Sequence, residues 1–350
     1  MKIKNIKLQN SHLPLKEPFT TALRSVKSID EVIIILKSES YIGLGSAPAT
    51  LAVTGDDLEK IYSDLKNKVI PAFLDYALDD YEIIFKKLLS LDICKSAQTA
   101  MDIALHDLLA KETKKPLYSY LNGQQRPLQT LYTISINTPQ KMLLQAQKVF
   151  KEGFRKLKIK LDENLNENIR RVRLLHKELP DAELFLDINQ AFDLTQAKSF
   201  INSMEDLPIK LLEQPLKAND LQGMQELTAL NSIPILADET VFSYSDALKA
   251  IETKACHYIN IKLMKCGGIY EAKKILELCQ KNGIQCMMGS MLESGISVTA
   301  ALHLALAFNN VIFTDLDGPT LASESFIQGG IVYNSMHISC NKALGLGIDL

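Results

Sequence analysis

The chain has 350 residues, 47% hydrophobic and 23% charged, with a formal net charge of −2. That length holds a small domain plus a barrel, the composition excludes a disordered chain, and the lack of any Lys/Arg run argues against nucleic acid or an anionic membrane as partner. No apolar stretch approaches the roughly 18 residues that span a bilayer, Met1–Leu8 lacks the apolar block of a signal peptide, and the six cysteines form no C-x-x-C pair, so a reduced, cytoplasmic protein is expected.

Lys4–Asn10 and Glu31–Ser38 alternate like half-buried strands, and Tyr41–Ser46 completes a hairpin through the Ser38–Ser40 turn. Between the first two, Pro18–Ser25 reads as a loop too long for a tight turn. Helical spacing follows at Asp56–Lys68, Tyr81–Leu89 and Ala97–Lys111, the last with Ala100, Ile103, Ala104, Asp107 and Leu108 on one face. Residues 1–125 are therefore expected to form an α+β capping domain. From about Leu128 strand alternates with helix, with strands predicted at 129–136, 155–161, 183–189, 209–214, 234–239, 257–263, 285–290 and 311–316. Eight strands with apolar helical windows between them predict a (β/α)7β barrel over 126–325. Strand-like alternation returns at Gly329–Ile338, and residues 326–350 are expected to fold back on the capping domain.

Five of the barrel strands carry a charge where a strand covered on both faces should be apolar. They are Lys160, Asp187, Glu213, Asp238 and Lys262, spaced 27, 26, 25 and 24 residues apart. One strand-plus-helix unit takes about 25 residues, so each step advances one unit around the barrel, whose strand C-termini carry the chemistry. A buried charge persists only when paired or bound to a metal. Asp187, Glu213 and Asp238, oxygen donors with no His or Cys beside them, favour Mg²⁺. Lys158 and Lys160 alternate, so both face the interior while Leu157 and Ile159 face the helices. Lys262 stands four strands further round, opposite Lys160. A lysine with a pKa near 10.4 is a weak base, but a nearby cation and the Lys158 ammonium would lower it. The reaction class this predicts is proton abstraction α to a carboxylate.

These motifs, with Lys262-Leu263-Met264-Lys265-Cys266-Gly267-Gly268, resemble the enolase superfamily in its muconate lactonizing enzyme subgroup; that superfamily's Lys or His base with Mg²⁺ is a worked example of this chemistry. The resemblance spans the chain. It implies Asp187, Glu213 and Asp238 as ligands of one Mg²⁺ per subunit, replaceable by Mn²⁺. It implies Lys160 and Lys262 as bases for the L and D configurations, with Lys158 as electrostatic support.

Asp315 and Asp317 end the eighth strand, and this Asp-x-Asp resembles the dipeptide epimerases, where it binds the substrate's N-terminal ammonium. Thr133 and Ser135 on the first strand, and Ser290 and Met291 after the seventh, point the same way. Arg24 in the capping loop would hold a side-chain carboxylate. The expected substrate is L-Ala-D/L-Glu, a peptidoglycan fragment, or a related dipeptide, and the expected assembly a homo-oligomer. Another subgroup activity (o-succinylbenzoate synthase, N-acylamino acid racemase or cycloisomerase) is the alternative.

Overall fold

The computed structural model describes residues 1–349. Three antiparallel strands, Asn5–Thr20, Ser25–Lys37 and Ile42–Pro48, form one sheet in chain order. The helix Lys95–Glu112 lies against it, covering the face that carries Val32, Ile34 and Leu36. Gly45 permits that approach, since a Cβ there would stand 2.0 Å from the Ala100 carbonyl oxygen.

The first strand runs past the expected Asn10. Its pairing slips between Pro14 and Phe19, then resumes at Phe19 with Val26 and Thr20 with Ser25. Pro18, which has no N–H to donate, sits in that irregular stretch, as proline in a strand requires. The expected long loop is therefore a tight turn, Thr21–Arg24, closed by Thr21 N donating to Arg24 O at 2.9 Å. The helix expected at Asp56–Lys68 is Leu58–Asp64, a π-turn at Leu65–Val69 and a further turn at Ile70–Phe73. Pro71 supplies no N–H to the ladder at that junction.

Eight parallel strands follow: Tyr132–Ile134, Lys156–Lys160, Glu183–Asp187, Leu211–Glu213, Ile235–Ala237, Tyr258–Ile261, Gln285–Gly289 and Val311–Asp315. Each pairs with the next, and Leu131 N donating to Thr314 O at 2.9 Å brings the ends together. Helices fill all seven connections, as the (β/α)7β reading expects. Leu131, Phe185, Leu211, Leu236 and Met287 plug the interior, so the charged strand ends rest on a dry floor. The expected first strand, 129–136, divides. Leu128–Gln129 pairs antiparallel with His337–Cys340, and Thr130 turns its hydroxyl to Leu316 N (2.8 Å) before the barrel strand begins.

The C-terminal hairpin, Ile331–Asn334 with His337–Cys340, completes that small sheet. Beyond it, Leu346 N donates to Asp107 Oδ1 (2.7 Å) and Gly345 O accepts from Leu117 N (2.7 Å). All six cysteines are free and buried. Among the described residues no helix is long and apolar enough to cross a membrane.

Candidate active site

The strand ends set the site. Lys160, Asp187 and Glu213 are the last residues of the second, third and fourth strands and stand in register. Asp238 and Lys262 follow the fifth and sixth strands directly, and Asp315 ends the eighth. All six are buried, with Asp187 at 0% exposure.

Their partners form one network. The Lys158 ammonium donates to Asp315 Oδ2 at 2.7 Å and lies 2.7 Å from Glu213 Oε2 and 3.1 Å from Asp187 Oδ2. Lys160 donates to Asp187 Oδ2 at 2.5 Å and Asn189 Oδ1 at 3.2 Å. Lys262 donates to Asp238 Oδ2 at 2.6 Å, and Asn260 Nδ2 to Glu213 Oε1 at 2.9 Å.

Lys265 is a site residue to which sequence reasoning assigned no role. It sits in the turn beyond the sixth strand and donates to Asp238 Oδ1 (2.6 Å), Asp238 O (2.5 Å) and Asn260 O (2.9 Å). Its spacing from Lys262 is that of an ordinary helical lysine, and only its burial singles it out. That turn is pinned by the cap: Thr99 Oγ1 donates to Leu263 O, Gln98 Nε2 to Gly267 O, and Asp102 accepts from Ile269 N and Tyr270 N. Gly268, at φ 116°, lies so close that a Cβ would meet Asp102 Cγ at 2.3 Å.

Above the network lies a cleft of about 60 Å³. Arg24, Thr133, Lys158, Lys160, Asp238, Lys262, Ser290, Met291, Asp315 and Asp317 all line it, together with Phe19, Leu23, Val53, Leu292 and Leu321, which sequence reasoning missed. Ser135 is not in this cleft; it faces an adjoining chamber. Asp187 and Glu213 lie beneath the lining, touching Lys158. Asp317 precedes a short helix but does not cap it; its Oδ2 accepts from Thr133 N at 2.6 Å. Asp315 Oδ1 is buried without a partner. Arg24 forms no ion pair with any described residue, and burial lowers its guanidinium pKa.

Burial pushes the Asp187 and Asp238 carboxyls up, but the facing lysines outweigh it and hold both below the usual range. Glu213 gains less from Lys158 than it loses to burial and Asp187, and is pushed up to about 8. Burial and Asp315 push Asp317 up to about 7. For Lys262 burial works downward, yet Asp238 prevails and raises it. The expected lowering of that lysine's pKa therefore does not follow from the protein's own charges, because its nearest neighbour is a carboxylate.

Among the described residues no three side chains stand ready as a metal cage, since lysines occupy the carboxylate lone pairs. The donor set still fits a hard divalent cation. Six buried acidic side chains (Asp187, Glu213, Asp238, Glu239, Asp315, Asp317) face four buried lysines (158, 160, 262, 265), so acids outnumber bases by two, and the raised Glu213 is the group a bound cation would ionise.

Residues 3–122 match the mandelate racemase / muconate lactonizing enzyme N-terminal domain, and 141–350 match the enolase C-terminal domain-like family. The chain is 41% identical to the L-Ala-D/L-Glu epimerase of Clostridium acetobutylicum, over 100% of this chain and 99% of that one. A substrate-liganded L-Ala-D/L-Glu epimerase from Bacillus subtilis superposes with a TM-score of 0.97 at 38% identity, covering 99% of each chain. The dipeptide epimerase of Enterococcus faecalis, complexed with Mg and L-Leu-L-Tyr, gives 0.96 at 34% over 100% of each. With both domains matched along nearly its whole length, the chain belongs to the enolase superfamily, in its mandelate racemase / muconate lactonizing enzyme branch.

Proposed function

We propose that this protein epimerises dipeptides of the L-Ala-D/L-Glu kind by moving the α-proton of the C-terminal residue between two lysines. The observation that carries this is the placement of Lys160 and Lys262, on the second and sixth of eight strands, as walls of one cleft. A carbon held between them presents its hydrogen to one lysine or the other according to its configuration, the lysine facing it acting as the free amine and the opposite one as the ammonium. One lysine removes the proton and the other returns one to the opposite face, each acting at hydrogen-bond reach of the reacting carbon's proton. Lys158, charged and fixed by three carboxylates, supplies positive potential where the substrate's carboxylate gains charge.

Asp187, Glu213 and Asp238 are the residues that would hold Mg²⁺, and Mn²⁺ shares the preference for oxygen donors. Bound there, the metal would supply positive charge to the substrate carboxylate and so acidify the α-carbon. The dipeptide ammonium would meet Asp317 and the unpartnered Asp315 Oδ1. Arg24, without an ion-pair partner at the cleft, would take a side-chain carboxylate on the second residue, which favours Glu.

The test is α-proton exchange in D₂O, read by mass spectrometry over a library of free dipeptides with Mg²⁺. Exchange at the C-terminal residue, strongest with Glu, is the expected result. Exchange with N-acylated amino acids but not with free dipeptides would overturn it in favour of an N-acylamino acid racemase.

A further inference from the structure

A second chamber, of about 520 Å³, adjoins the cleft, and Phe19 and Leu321 line both. Its far walls come from the cap strand at Lys16–Thr20 and from the first barrel strand and helix, through Tyr132, Ser135, Lys141, Leu144 and Lys148. Glu17 is the single carboxylate in the lining, against three exposed lysines, so a chain of net negative charge presents a positive hollow here. Lys141 and Lys148 form no ion pair with any described residue, while Lys16 donates to Thr320 O at 2.6 Å. Leu144, 65% exposed, adds an apolar wall.

The chamber lies on the side where Asp317 meets the first strand at Thr133. An ammonium bound at Asp317 therefore sets the first residue of a dipeptide against the Phe19–Leu321 partition. An alanine methyl would leave the volume beyond it unused. We propose that this chamber is a subsite for the side chain of the substrate's first residue, selecting a long acidic one whose carboxylate is met by Lys16, Lys141 and Lys148. The inference rests on the dipeptide reading above.

The test compares kcat/KM of the Mg²⁺-supplied protein for L-Glu-L-Glu, its isostere L-Gln-L-Glu, and L-Ala-L-Glu, read by α-proton exchange. Three exposed lysine contacts amount to about a tenfold preference for Glu over Gln at low ionic strength. That preference should collapse at about 1 M salt, where the screening length is about 3 Å, and should vanish or invert in K141E/K148E. Equal rates for Glu and Gln at low salt, or a preference that survives both high salt and the double substitution, overturns the proposal while L-Ala-L-Glu exchange keeps the dipeptide reading intact. Loss of exchange with every dipeptide in the wild type overturns both. If the double variant fails to fold, the salt series and K141Q alone give the same decision.

Discussion

Replacing Lys265 with Met probes the least conspicuous member of the site. The ammonium is 1% exposed and makes three hydrogen bonds, to Asp238 Oδ1, Asp238 O and Asn260 O. Removing one partner of a buried ion pair costs about 3–5 kcal/mol, and each orphaned buried acceptor about 1–3 kcal/mol. Two features pull the total down: Asp238 keeps Lys262 at 2.6 Å, so its charge is not left bare, and the Met side chain retains most of the packing of the lysine stem. The expected loss is about 3 kcal/mol, measured by equilibrium denaturant unfolding at unchanged m. Freed from one of its two tethers, the Asp238 carboxylate should also hold Mg²⁺ at least tenfold less tightly by calorimetry, with Lys265→Arg in between. A Lys265→Met protein within about 0.5 kcal/mol of wild type, the range of an ordinary surface change, and with undiminished Mg²⁺ affinity would refute the assignment of Lys265 to positioning.

The two bases should separate by stereochemistry. Lys160→Ala and Lys262→Ala should each lose epimerisation by about 10²–10⁴ or more while retaining exchange of opposite epimers, and near-normal epimerisation in Lys160→Ala would end the two-base scheme. Chelation should abolish activity and Mg²⁺ or Mn²⁺ restore it; full turnover by protein shown metal-free by elemental analysis would contradict the ligand assignment. Asp317→Asn should penalise free dipeptides far more than N-acetylated ones, whereas Arg24→Met should penalise Glu as second residue and spare neutral ones, both read as kcat/KM. His303 offers a pH test remote from the cleft. Burial lowers its pKa to about 4, and its Nδ1 accepts from Tyr118 N at 2.9 Å, which requires the neutral ring. The unfolded state thus binds this ring's extra proton between pH 6.5 and about 4, so the His303 contribution to unfolding free energy, read as wild type minus His303→Gln, should fall by about 3 kcal/mol as pH drops through that window. The His303→Gln variant, whatever its absolute stability, should lack that component while keeping the pH dependence of the buried carboxyls.

The barrel was legible because burial punishes charge: a Lys or Asp inside an apolar strand needs a reason, and five of them at regular spacing share one. Asp315 and Asp317 stood out differently, by their shared facing at the end of the eighth strand and their likeness to the Asp-x-Asp of the dipeptide epimerases, and both line the cleft. Lys265 was not, since beyond a strand a lysine is unremarkable until its burial is seen. Ser135 was assigned to the site from the likeness of its stretch, residues 132–136, to the dipeptide epimerases, but the strand ends at Ile134 and Ser135 lines the adjoining chamber. The Thr21–Arg24 turn was read as a long loop because Pro18 suggests an interruption, and nothing local reveals that pairing resumes one residue later at Phe19. Leu128–Gln129 has the pattern of a barrel strand, and only its distant partner, His337–Cys340, shows otherwise.

The grip of the cap helix on the turn that follows Lys262 restricts how this protein can breathe. Gln98, Thr99 and Asp102 hold backbone atoms within a few residues of that lysine, so a cap that swung away would drag Lys262 with it. Cap and barrel are therefore tied together at that turn, while Thr21, Leu23 and Arg24 wall the cleft from a separate short turn, anchored at one end where Thr20 O accepts from Ile136 N at 3.1 Å. The cleft's outer wall and its buried lysines thus belong to different stretches of chain. Changes in the turn would reshape one wall of the cleft without displacing either lysine. The shape of that wall can vary while the buried network beneath it stays put.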